Sequence, residues 1–139
     1  MQTSTLPSAA QTISPSVTLE WYDDRKIVCA TVTDVARTTI DQLERALTPI
    51  VTGWPDPFQR MIYDFSDPRV KPTPYSNARA RALEELRPDL NRYVAIVMNR
   101  TFAVQLIQLF IRAQDRHNRH LRIFFTRQDA LRWLIGIKN

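Results

Sequence analysis

The chain has 139 residues, 44% of them apolar and 24% charged, the balance of a single globular domain large enough to build its own core. Its two glycines, Gly53 and Gly136, exclude a Walker loop, a dinucleotide fingerprint and a kinase glycine loop, each of which needs several glycines at fixed spacing. The net charge of +5 is uneven: residues 1–99 carry 11 basic and 12 acidic side chains, whereas residues 100–139 carry 8 and 2.

Residues 1–16, MQTSTLPSAAQTISPS, lack a basic start followed by a continuous apolar run, so they read as a disordered tail rather than a leader. The folded domain is then expected over 17–139. No stretch approaches the roughly 18 apolar residues of a membrane span, and a cytoplasmic location is the expectation. VTLEWY (17–22) alternates, with Val17, Leu19 and Trp21 on one face, and KIVCATV (26–32) is rich in strand formers. The polar turn Asp23-Asp24-Arg25 between them predicts an antiparallel hairpin. Cys29, the single cysteine, sits in the second strand and is expected to be a buried structural thiol.

The period then changes. Ile40, Leu43, Leu47 and Ile50 share one helical stripe, opened by Thr38 or Thr39 as N-cap with Asp41 or Gln42 three residues on. Pro49 is expected to disturb the last turn, and Gly53 suits the position just past it. Three apolar runs follow, MIYDFS (61–66), YVAIVM (93–98) and LRIFFT (121–126), separated by helical patterns at 74–87 and 101–116 and followed by one at 127–136. Thr73 precedes Pro74 as an N-cap, with Ser76 as the competing cap; Thr126 with Asp129 forms a second capping pattern. The predicted order is β-β-α-β-α-β-α-β-α. Strands apolar on both faces and alternating with helices predict an α/β domain with a mostly parallel mixed sheet.

The helix at 101–116 is apolar on most of its surface, broken within it by Gln105, Gln108 and Arg112. It is either buried on two sides or in contact with something beyond the domain. Phe102, Leu106, Leu109 and Phe110 are therefore candidates for an apolar ligand chamber or a dimer face.

The polar candidates cluster where function is expected in such sheets, beyond the carboxyl ends of the strands. Asp64, Ser66 and Asp67 end the first apolar run, and a loop with three prolines leads to Tyr75, Ser76 and Asn77. Two carboxylates can act as acid and base or hold magnesium. However, alternation sends Asp64 and Ser66 to one face and Asp67 beyond the strand, and Ser-Asp-Pro is an ordinary turn. His117 and His120 lie at a spacing compatible with metal, but the arginines around them repel a cation, so a solvated basic loop is expected. No GxSxG-type elbow supports a catalytic triad. Arg116, Arg119 and Arg122 form the densest basic group and a candidate anion patch, without the aromatic interleaving that nucleic acid favours.

The element order, the opening hairpin and the ending RIFFTRQDALRWL resemble the STAS domain (sulfate transporter and anti-sigma antagonist), especially its SpoIIAA-like branch. Thr126, Ala130, Trp133 and Leu134 carry the likeness, which spans residues 17–136. In the antagonists, an Asp-x-Ser strand end leads to a helix start bearing a phosphorylated serine. Asp64-Phe65-Ser66 and Pro74-Tyr75-Ser76-Asn77 occupy those places, so the resemblance implies Ser76 as phosphoacceptor, although the flanking Asp and Gly of the family motif are missing. It implies a non-enzymatic regulatory or binding module with a protein partner or self-association, and with no cofactor, metal or catalytic residue. The alternative is a carrier or sensor of a small apolar ligand or lipid, because the branch is similar to lipid-binding carrier domains. An enzyme using Asp64 and Asp67 is the remaining expectation to test.

Overall fold

The computed structural model describes residues 9–100 and 119–137. Within them β1 (Ala9–Ser14), β2 (Val17–Tyr22) and β3 (Ile27–Val32) form an antiparallel meander. β4 (Phe58–Phe65), β5 (Asn91–Met98) and β6 (Arg119–Phe124) extend it parallel to β3, so the six strands lie in space in their sequence order. The helices are α1 (Arg37–Thr52), α2 (Pro74–Glu85) and α3 (Arg127–Gly136). The molecule is thus an α/β fold on a mixed sheet.

Strands β3, β4 and β5 step across the sheet in one direction, so crossovers of one hand put α1 and α2 on the same face. There Leu43, Leu47 and Val51 of α1 and Leu83 of α2 pack on Leu19, Val28, Ala30, Val32 and Met61. On the opposite face Ala130, Leu131 and Leu134 of α3 pack on Ile27, Cys29, Ile62, Ala95 and Val97. Coverage of both faces explains why the parallel strands read as continuous apolar runs. Side chains at odd positions of β2 and β4 face α1 and α2; the even ones, including Glu20, Tyr22, Arg60 and Asp64, face the α3 side. At its far end α2 is tied to the sheet by the buried Arg92, which donates to the carbonyls of Glu84 at 2.8 Å and Arg87 at 3.0 Å. Those are carbonyls that a helix end leaves without an internal partner.

Three expectations are corrected. Residues 9–14 do not belong to a disordered tail: they pair with β2, and Ile13 packs against the core. Their backbone ladder supplies the order that their sequence pattern does not advertise. α1 begins at Arg37, with Ala36 as N-cap and no side-chain cap of its own. Asp34 acts from outside instead, accepting from the Ala36 amide at 3.0 Å and the Thr39 hydroxyl at 2.6 Å. Pro49 is absorbed inside the helix, which continues to Thr52. Its missing N–H removes one bond near the end, where the Gly53 amide still reaches the Pro49 carbonyl at 3.0 Å. The helix predicted at 101–116 lies outside the described residues. The other elements fall within three residues of their predicted bounds.

Candidate functional site

Loop 66–77 leaves the carboxyl end of β4 and is fixed by local polar contacts. One oxygen of the Asp64 carboxylate accepts both the Ser66 hydroxyl at 2.6 Å and the Ser66 amide at 3.1 Å. Asp67 accepts the Arg69 amide at 2.9 Å and its guanidinium at 3.1 and 2.9 Å. These bonds from Arg69 hold the Asp67 carboxyl down to about 2. Val70 plants the loop in the core, 2% exposed. At the start of α2, the Thr73 hydroxyl accepts the Ser76 amide at 3.0 Å and the Ser76 hydroxyl accepts the Thr73 amide at 2.9 Å. The two competing caps are therefore the two halves of one capping box.

α2 is joined to α1 beside this loop. The Tyr75 hydroxyl donates to the Asp41 carboxylate, which favours the protonated phenol and raises its pKa. The Arg37 guanidinium lies 4.5 Å from the centre of the Tyr75 ring, and Arg79 Nε reaches Glu44 at 2.7 Å. Asn77, two positions beyond Tyr75, faces solvent. The structure thus brings Asp64, Ser66, Asp67, Tyr75, Ser76 and Asn77 to one end of the sheet.

The second oxygen of Asp64 turns to the α3 face, where Arg127 meets it with Nε at 3.1 Å and Nη2 at 2.7 Å. The same guanidinium donates to Glu20 at 2.7 Å, Tyr22 at 3.2 Å and Thr31 at 2.8 Å. Arg127 is the first residue of α3, placed there by the Thr126 hydroxyl, which accepts the Asp129 amide at 3.1 Å. Burial opposes its charge, but the bonds to Asp64 and Tyr22 and the field of the Asp64 carboxylate outweigh that, holding its pKa above the ordinary value. Their own burial raises Tyr22 and pushes the Cys29 thiol up to about 12. Asp64 and Asp67 each face a guanidinium, so a cation or a proton relay between them would first have to displace Arg127 or Arg69.

The basic candidates do not converge. Arg119 and Arg122 are three apart on β6 and point to opposite faces. Arg119 pairs with Glu84 at 2.7 Å on the α2 side, whereas the Arg122 guanidinium lies 5.5 Å from the Trp133 ring centre on the α3 side. His120 is a strand residue rather than a loop residue, stacked on Tyr93 with ring centres 4.6 Å apart. Arg116, His117, Phe102, Leu106, Leu109 and Phe110 lie outside the described residues. Among the described residues no helix is long and apolar enough to cross a membrane.

Sequence reasoning missed a cleft of about 680 Å³ at the opposite end of the sheet. It opens between the β2–β3 turn, the end of α1 and the start of β4, with Trp21 and Trp54 stacked in its wall at 6.2 Å. The aromatic residues Trp54 and Phe58 set among the prolines of WPDPF were the available signal. It also missed Arg127, for which a basic residue at a helix N-terminus, against the dipole, was the clue. Comparison with known protein families, with characterised proteins and with solved structures finds no match to this chain.

Proposed function

We propose that the chain is a non-enzymatic, STAS-like regulatory or binding module that acts through protein–protein contact from a cytoplasmic location, with loop 66–77 and the outer side of α2 as its contact surface. The observation that carries this reading is the state of the loop. It has little regular structure, yet its polar groups are closed locally, by Asp64 on Ser66, Asp67 on Arg69 and Thr73 on Ser76. A surface held in one shape before it meets a partner loses less ordering entropy on binding. α2 supports the same reading: Leu83 is its one buried residue, and Asn77, Ala78, Ala80 and Arg81 all face solvent. The hairpin, the alternating order that follows and the Thr126-capped final helix support the STAS-like assignment.

Phosphorylation at Ser76 is the proposed switch. The Ser76 hydroxyl donates to the Thr73 carbonyl at 3.0 Å as well as accepting the Thr73 amide. A phosphate ends that donation while placing negative charge at a helix N-terminus, where it is favoured. The contact surface is tested by a photo-crosslinking residue placed at Asn77 or Arg81, with Arg132 on the opposite face as control. The reading expects a discrete crosslinked partner from the first two positions and none from the third; equal yields from all three contradict it.

A further inference from the structure

We infer that the cleft at the end of the sheet remote from loop 66–77 is a binding site for a small amphipathic organic anion, an apolar ring body carrying one carboxylate or sulfonate head. This goes beyond the proposed protein contact and uses none of its residues. The cleft volume, about 680 Å³, is in the range of small-molecule sites, roughly 300–1,000 Å³. Its wall is aromatic: the Trp21 and Trp54 rings lie 17° from parallel, with Phe58 beside them. Trp54 Nε1 is satisfied by the Phe58 carbonyl at 2.9 Å, so the indole offers a ligand its ring and not its N–H. Pro49, Pro55 and Pro57, all exposed, make a stiff apolar lip.

Charge decides the head group. The lining holds three cations, Arg25, Lys26 and Arg60, against two carboxylates, Asp24 and Asp56. Asp56 is engaged by the Phe58 amide at 2.9 Å. Arg25 and Lys26 are exposed, and neither has a carboxylate partner among the described residues. The Arg25 guanidinium instead hangs 4.2 Å from the centre of the Trp21 ring, at the junction of the apolar wall and the solvent.

The backbone that holds it there is strained. Asp23, Asp24 and Arg25 have φ of 54°, 54° and 63°, the left-handed region that L-residues other than Asn and Asp rarely enter. The Lys26 amide closes the turn on the Asp23 carbonyl at 3.1 Å. Two aspartates suit such a turn; an arginine suits it less, and here its guanidinium lies over the Trp21 ring. Strain kept at the mouth of a cleft is the pattern of a residue retained for what it contacts.

The test uses the full chain with Trp133→Phe, so that fluorescence reports on Trp21 and Trp54, the other two tryptophans. It is titrated with anilinonaphthalene sulfonate and, separately, with N-phenylnaphthylamine, which has the same ring body without the anion. The proposal expects saturable one-to-one binding of the sulfonate with a change in tryptophan emission, and weaker binding of the neutral dye. Arg25→Asn, in which Asn suits the turn, is expected to leave the melting temperature equal or higher while weakening the sulfonate by roughly tenfold and the neutral dye little. Lys26→Gln is the second rim variant, expected to shift the sulfonate in the same direction should Arg25→Asn not fold. Absence of saturable binding, equal affinity for the two dyes, or sulfonate affinity unchanged in the folded rim variant overturns the proposal.

Discussion

Replacing Arg127 with Met tests whether α3 is locked to the sheet by charge. The substitution keeps an unbranched apolar stem and removes five hydrogen bonds, to Asp64, Glu20, Tyr22 and Thr31. It leaves the Asp64 carboxylate, with a side chain 8% exposed, and that of Glu20, 17% exposed, without their cation. Breaking a fully buried pair costs about 3–5 kcal/mol. Arg127 is itself 29% exposed, so solvent screens part of that loss, and about 2–3 kcal/mol is the expected destabilisation. In a domain of this size each kcal/mol moves the melting temperature by about 3–4 °C, giving a fall of about 6–12 °C. Asp64→Asn alone should cost less, because Arg127 keeps Glu20. The double variant should fall short of the sum by about 1–2 kcal/mol, as expected of partners in contact. Urea unfolding followed by tryptophan fluorescence measures all three. A change below about 0.5 kcal/mol for Arg127→Met would show the network to be a solvated surface pair and refute the reasoning.

Asp34 should govern part of the acid limb. Bonds from Thr39, Ser16 and the Ala36 amide lower its folded pKa from 3.8, so the stability it contributes is present above that value and lost as pH falls through the lower folded one. Urea midpoints taken through the acid range should therefore fall more steeply for the wild type than for Asp34→Asn; parallel curves would contradict this. For Cys29, burial raises the thiol from 9.0 to about 12, so its contribution is present below 9.0 and lost as pH rises through the folded value. In mildly alkaline buffer, iodoacetamide should label Cys29 only after urea is added, and rapid labelling of the native protein, read by intact mass, would show the site to be open.

The parallel strands were legible because both faces of β4 and β5 are covered, which leaves runs such as Met61-Ile62 and Val94-Ala95-Ile96-Val97 with little polar interruption. α3 was legible because Thr126 caps it locally. β1 was not, since Ile13 alone among its central residues reaches the core and its order comes from backbone pairing with β2. The start of α1 was misplaced because no threonine caps it; Asp34, outside the helix, instead accepts the Ala36 amide just before it and the Thr39 hydroxyl within it. At the candidate site the sequence pointed to Asp64, Ser66 and the Thr73–Ser76 pair, all joined by contacts two or three residues apart. It could not show that Arg127 closes on Asp64 across 63 positions, or that Trp21 stacks on Trp54. Such pairings are set by the tertiary fold. Nor does basic density alone show direction: Arg119 and Arg122 are three positions apart and point away from each other on β6.

The central claim, that loop 66–77 and α2 form a contact surface switched at Ser76, is tested most directly by the affinity of the partner captured through Asn77. Asp at position 76 can still accept the Thr73 amide, so α2 should persist, verified by circular dichroism, while negative charge is added at the surface. The account predicts that Ser76→Asp weakens the partner by roughly tenfold or more and that Ser76→Ala weakens it less. An affinity unchanged in a correctly folded Ser76→Asp protein would contradict it.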